Sequence, residues 1–122
     1  MRIGELAKRT GVSIRSLRYY ELQGLLSSDR EENGYRVYSE LAVEQVNTIQ
    51  FYIRLGLSTE EIAGFLHCVL IKKEAFCEQV LPVYRNKLEQ LDRQIAQLEM
   101  IRANLKERIA HLQAEATEAT TQ

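Results

Sequence analysis

Ser13-Ile14-Arg15-Ser16-Leu17-Arg18-Tyr19-Tyr20-Glu21 is the stretch on which the reading of this chain turns. Ser13 is a residue type that accepts the unpaired N–H bonds at a helix start. Ile14 and Leu17 lie three apart and make one side of the turn apolar. The other side offers Arg15, Ser16, Arg18 and Tyr19, whose cations, hydroxyl and phenol suit phosphate oxygens and base edges. So short a helix is not stable alone. The working expectation is that the rest of the chain holds two copies of it at a fixed spacing on DNA.

Outward from that stretch, Ile3, Leu6 and Ala7 put one apolar face on a short helix over residues 3–9. Thr10-Gly11-Val12-Ser13 reads as a tight turn, with Gly11 free to take the left-handed conformation and Val12 filling the angle. Helix, glycine turn and second helix match the helix-turn-helix plan, although many αα-corners share it and bind nothing. Gly24 closes the second helix. Leu25-Leu26-Ser27 and Arg36-Val37-Tyr38 then read as two strands around Asn33-Gly34, a hairpin dipeptide. Such a hairpin is a wing, and Arg30, Tyr35, Arg36 and Tyr38 give it a cationic and aromatic margin. The competing reading is a plain surface hairpin.

Ser39 is expected to cap a third helix, in which Val46, Ile49 and Ile53 recur at helical spacing. Ser58-Thr59-Glu60-Glu61 is a capping-box sequence opening a helix that buries Ile62, Phe65 and Leu66. Arg54 sits at the bend between these helices, either reaching a phosphate or simply exposed. From about residue 80, Leu81, Tyr84, Leu88, Leu91, Ile95, Leu98, Arg102, Leu105, Ile109 and Leu112 alternate spacings of three and four. Only Arg102 interrupts the stripe, which predicts a coiled coil. Pro82 suits a first helical turn, placing the helix start near residues 78–81. A helix of that length spans roughly 45–50 Å and has no partner of its size in the chain, so its partner is expected to be a second copy.

The 122 residues fit one small domain plus an extension. Net charge is −1, yet residues 1–20 carry Arg2, Lys8, Arg9, Arg15 and Arg18 against Glu5 alone, so a polyanion-binding face belongs near the N-terminus. No apolar run is long enough to span a bilayer and Met1-Arg2-Ile3-Gly4 does not begin a signal peptide, so a cytoplasmic protein with no membrane association is expected. Neither a Ser/His/acid set, a phosphate-cradling glycine loop nor strong metal-ligand spacing is present, and no enzyme and no cofactor are expected. The division expected is a mainly α chain: a winged helix-turn-helix head over residues 1–66, a linker or effector segment over 67–79, a dimerisation helix over 80–113 and a flexible, acidic tail over 114–122.

Six segments then fall into one pattern. Ile3-Gly4-Glu5-Leu6-Ala7, Thr10-Gly11-Val12-Ser13, Leu17-Arg18-Tyr19-Tyr20-Glu21, Gly24-Leu25-Leu26, Asn33-Gly34-Tyr35-Arg36-Val37-Tyr38 and Leu55-Gly56-Leu57-Ser58 closely resemble the MerR family of bacterial transcription regulators. The resemblance implies a homodimer paired through antiparallel long helices. It also implies a pseudo-palindromic promoter whose overlong spacer is distorted so that RNA polymerase engages both elements, usually as an activator answering an effector. At matching positions it implies DNA contacts by Ser13, Arg15, Arg18, Tyr19 and Tyr20, with Arg30, Arg36 and Tyr38 from the wing and Arg54 from the second corner. Ser16, on the same cationic face, joins them. Arg18 either lies on phosphate or reaches guanine bidentately. The alternatives are a repressor or architectural DNA-binding protein that never recruits polymerase, and a coiled-coil module whose head binds another protein.

The effector is open. Metal sensors of the family place one ligand near the start of the long helix, where Cys77 lies, and further cysteines beyond its end, where residues 114–122 offer none. Cys68 and Cys77 are expected to be reduced. Cys77 is a possible sensor of oxidants or electrophiles, pairing with Cys68, or else a soft-metal donor approached by a partner chain's His111. Packing is the plain alternative for both cysteines. A small organic effector beside residues 67–77 is a further possibility.

Overall fold

The computed structural model describes residues 1–121, which divide into one compact unit over Met1–Tyr84 and a second from Arg85 onward. In the first, α1 (Ile3–Thr10) and α2 (Ile14–Leu22) make the corner expected around Gly11. Gly11 has φ 73° and donates its N–H to the Ala7 carbonyl at 2.9 Å, a turn geometry that a Cβ would strain. Leu6, Val12 and Leu17 are buried beneath the corner. The chain then forms a two-stranded antiparallel hairpin, β1 (Asp29–Arg30) and β2 (Arg36–Val37), with Asp29 opposite Val37 and Arg30 opposite Arg36.

Helices α3 (Glu40–Arg54), α4 (Thr59–Ala63) and α5 (Leu66–Ile71) follow, then a single 3-10 turn at Glu74–Phe76 and α6 (Val80–Thr121). Helix α3 is the centre of the head: Ala42, Val46, Ile49 and Tyr52 lie on its buried face, with Leu6, Leu17, Tyr38, Ile62 and Phe65 in the same cluster. Each such aliphatic side chain contributes about 1.5–3 kcal/mol through burial. Arg9 adds a bidentate pair to Glu40, at 2.7 and 2.8 Å, tying α1 to the first turn of α3. That pair raises the Arg9 pKa and lowers that of Glu40, in both cases chiefly through the hydrogen bond between them.

Several details depart from expectation. Leu25 and Leu26 are not a strand: both are buried in the core, so the pairing rungs move to Asp29–Arg30, and the hairpin loop runs over residues 31–35. Two adjacent apolar residues cannot both be buried by a strand with one solvated face, and the core takes them. Ser39 occupies the cap position of α3 without a side-chain cap bond; its carbonyl accepts the Ala42 N–H instead. The Ser58 capping box forms in full, but its helix ends at Ala63, and Phe65 and Leu66 are buried from a separate turn and helix.

The second unit is helix alone. Leu88, Leu91, Ile95, Leu98, Leu105, Ile109 and Leu112 are 40–65% exposed along it. The helix continues past residue 114, where a flexible tail was expected, as far as Thr121; Gln122 lies outside the described residues. Alanine and glutamate in that segment favour helix; Thr117 and Thr120, less favourable there, turn their hydroxyls back to carbonyls four residues earlier, at 2.9 and 2.7 Å.

Candidate nucleic-acid interface

Ser13 opens α2 as its cap, its Oγ accepting the Ser16 N–H at 3.1 Å. The Ser13 hydroxyl donates to Ser16 Oγ at 3.0 Å, which leaves the Ser16 proton free to point outward. Arg15 and Arg18 are exposed on the helix, and among the described residues neither has an ion-pair partner. Tyr19 is 48% exposed, with its phenol oxygen 3.5 Å from Thr59 Oγ1, so α2 meets the start of α4 at this point.

The wing closes beside the same helix. Arg18, Glu21, Leu22, Ser28, Arg30 and Arg36 line one groove of about 380 Å³. Arg18 and Arg36 also line a second, of about 400 Å³, together with Arg2, Gly34 and Tyr35. Arg18 therefore stands between helix and wing and contributes to both grooves. The organising group is the Glu21 carboxylate. It accepts from Arg36 at 2.9 Å, from Tyr38 at 3.3 Å and, through its other oxygen, from Ser28. Arg36 thus has its charge already countered, whereas among the described residues Arg18 and Arg30 have no ion-pair partner.

Two expected surface contacts are corrected. Tyr20 is 6% and Tyr38 2% exposed, so both rings are core rather than reading surface. The Tyr20 hydroxyl accepts from Gln50 Nε2 at 2.6 Å, and the Tyr38 backbone N–H donates to the Met1 carbonyl at 2.7 Å. Burial raises both phenol pKa values; the Gln50 bond opposes this at Tyr20, and the Glu21 charge adds to it at Tyr38. Arg54 is exposed in the last turn of α3, where a cation also suits the helix terminus, and lines neither groove.

Sequence reasoning missed two residues. Arg2 lies 4.2 Å over the Tyr35 ring and 3.4 Å from Glu31, so it stiffens the wing while lining the groove with Arg18. Glu21 lies in a local motif, but its wing partners Arg36 and Tyr38 are fifteen and seventeen residues on, beyond any local pattern. Its signal was the presence of a carboxylate within an otherwise cationic reading stretch.

Residues 1–67 match the family model described as MerR HTH family regulatory protein, and residues 43–108 match the one described as MerR, DNA binding. The chain belongs to the MerR family. It is accordingly a DNA-binding transcription regulator with a mostly helical, winged head and a long C-terminal helix. This MerR-family chain is 38% identical over 111 residues to a mercuric resistance operon regulatory protein of Bacillus cereus, spanning 88% of this chain and 83% of that one. Among solved structures, it is similar to the regulator PbrR691 of Ralstonia metallidurans CH34 in complex with lead(II). That similarity has a TM-score of 0.76 and 25% identity, covering 88% of this chain and 83% of the other. It is also similar to HiNmlR, a MerR family regulator lacking the sensor domain, bound to promoter DNA. There the TM-score is 0.54 and the identity 26%, over 92% and 89% of the two chains. Among the described residues, no helix of this regulator is long and apolar enough to cross a membrane.

Proposed function

We propose that this regulator binds a pseudo-palindromic promoter as a homodimer, two α2 helices and two wings gripping the ends of a spacer that is distorted for RNA polymerase in the cytoplasm. The observation that carries this reading is Arg18 lining both grooves between recognition helix and wing, with Arg30 and Arg36 alongside it. Phosphate contacts of this kind offset the deformation of a promoter, which costs on the order of 1–6 kcal/mol by elastic estimates. Ser13, Arg15, Ser16, Arg18, Tyr19, Arg30, Arg36 and Arg54 form the proposed contact surface. The dimer reading is supported by the exposed apolar stripe from Leu88 to Leu112, which a second, antiparallel α6 would cover.

Relatives are named for mercury and lead. Among the described residues no three His, Cys, Asp or Glu side chains gather as a metal site, and with the disulfide closed the Cys77 sulfur is bonded to Cys68. His111 pairs within α6 to Glu115 at 3.2 Å.

Footprinting and in vitro transcription on promoters of stepped spacer length test the proposal. A dimer footprint with two protected ends, and activation confined to overlong spacers, is the expected result. Transcription that only falls, at every spacer length, would leave a repressor in place of the proposed activator. Arg36→Ala is expected to weaken binding to all sequences about equally. A changed sequence preference would remove Arg36 from the phosphate-gripping wing.

A further inference from the structure

We propose that Cys68 and Cys77 are a reversible dithiol–disulfide couple, oxidised by peroxides, whose closure fixes Glu74 as a clamp at the base of α6 and so sets transcriptional output. The inference rests on the promoter-regulator reading and supplies its signal.

The two cysteines were expected to be reduced, and the structure joins them. Cys68 on α5 and Cys77 after the 3-10 turn are nine residues apart, with Cα atoms 6.0 Å from each other and a bond between the sulfurs. That Cα distance lies within the ordinary range for a disulfide, so the backbone accepts the bond without moving. Cys77 is 4% exposed and Cys68 partly exposed, which makes Cys68 the thiol that meets an oxidant and Cys77 the one that resolves it. The Cys77 sulfur also lies 3.7 Å from the Lys73 carbonyl oxygen, an acceptor for the S–H of the reduced form. Where genes are transcribed, thiols are kept reduced, and disulfides formed there are transient and signalling rather than structural.

What the bond closes is a segment with a task. Residues 72–76 lie inside the loop, and Glu74 uses both carboxylate oxygens: one accepts from Tyr52 on α3 and the other from Tyr84 in the second turn of α6, each at 3.0 Å. Tyr52 is buried and stands edge-on to Phe65 at 4.8 Å, so this end of the clamp is anchored in the head's core. A cross-link across nine residues restricts the backbone carrying Glu74; its reduction releases that restriction. The clamp thereby joins the core of the head to the first turns of α6.

The chemistry balances with the peroxide alone. The Cys68 thiolate attacks one peroxide oxygen; the O–O bond breaks, the other oxygen leaves as alcohol or water after taking a proton, and Cys68 becomes a sulfenic acid. The Cys77 sulfur then attacks the Cys68 sulfur, the S–O bond breaks, and water departs with the second proton. Two electrons pass from the sulfurs to the peroxide oxygens. A dithiol reductant reverses the bond by exchange, itself becoming a disulfide.

The test uses the full-length dimer with hydrogen peroxide and then dithiothreitol. Intact mass and alkylation should show an intramolecular disulfide that forms and is reversed, and hydrogen exchange of the 72–77 amides should slow on oxidation. Promoter transcription should rise by about 5–150-fold in the oxidised form, the range of ordinary allosteric coupling. Cys68→Ser and Cys77→Ser should each abolish the response while binding promoter DNA like the reduced wild type, which also shows that they fold. Glu74→Gln should still form the disulfide but respond weakly. Failure to form the intramolecular bond, or a bond that changes neither exchange nor transcription, overturns the proposal. If no promoter responds in either state while mass and exchange behave as stated, the couple stands and the promoter reading fails instead.

Discussion

The Glu21 carboxylate of α2 holds the Arg36 guanidinium of the wing at 2.9 Å. The same carboxylate takes Tyr38 and Ser28, so one acidic side chain gathers three groups from the hairpin. Glu21 is largely covered and Arg36 nearly half exposed, which makes this pair firmer than a surface ion pair and weaker than a buried one.

Glu21→Gln should therefore do two things. Stability falls by about 1 kcal/mol, discounted for the exposure of Arg36. With Glu21 no longer offsetting its charge, each Arg36 counts fully toward phosphate neutralisation, and the slope of log affinity against log salt steepens by about 0.9 per Arg36, about 1.8 for a dimer. Salt titrations of promoter binding check this. An unchanged slope would mean that Glu21 does not offset the Arg36 charge at the DNA.

Tyr20→Phe tests whether that phenol is structural. Loss of the hydroxyl leaves the Gln50 amide without its 2.6 Å acceptor and costs about 1–2 kcal/mol in unfolding experiments. The ranking of operator variants should not move. Relaxed preference at a single base pair would return Tyr20 to the contact surface.

Gly11→Ala isolates backbone strain, because a Cβ built at this glycine meets no atom within 4 Å. The cost is then that of φ 73° alone, about 1–2 kcal/mol, and Gly11→Asn should cost less. Denaturant midpoints at constant slope measure both.

Tyr52 supplies the pH prediction. Burial first, then the Glu74 carboxylate, raises its phenol pKa well above the ordinary value, so the unfolded chain loses this proton before the folded one does. Its contribution to stability is complete below about pH 10 and is lost as pH rises through the folded value. Ultraviolet titration should show a phenol that ionises late and disappears in Tyr52→Phe. The same variant should show a shallower alkaline fall in stability.

Much of this arrangement was legible because it is local. The Ser13 cap, the Gly11 turn, the Ser58 box and the α6 stripe are each written within a few residues, and each is present. What escaped depends on long-range packing. Leu25 and Leu26 have strand-like composition, yet the core claims both side chains and shifts the rungs to Asp29–Arg30. Tyr20 and Tyr38 sit in reading motifs, but only the packed head reveals that their rings point inward. Glu21 reaches Arg36 and Tyr38 across 15 and 17 residues and Glu74 reaches Tyr52 and Tyr84 across 22 and 10, separations that no periodicity encodes.

A hairpin with only two paired residues per strand does not keep its own shape in water. Its order is borrowed from the helix through Glu21 and from Arg2 stacked on Tyr35. Residues 32–34 at the tip make neither of these contacts, so the tip can be lengthened, shortened or recharged there while the Arg2 contacts to Glu31 and Tyr35 are kept. The tip of the wing is in this sense an interchangeable fitting, altered while the head's architecture stays constant.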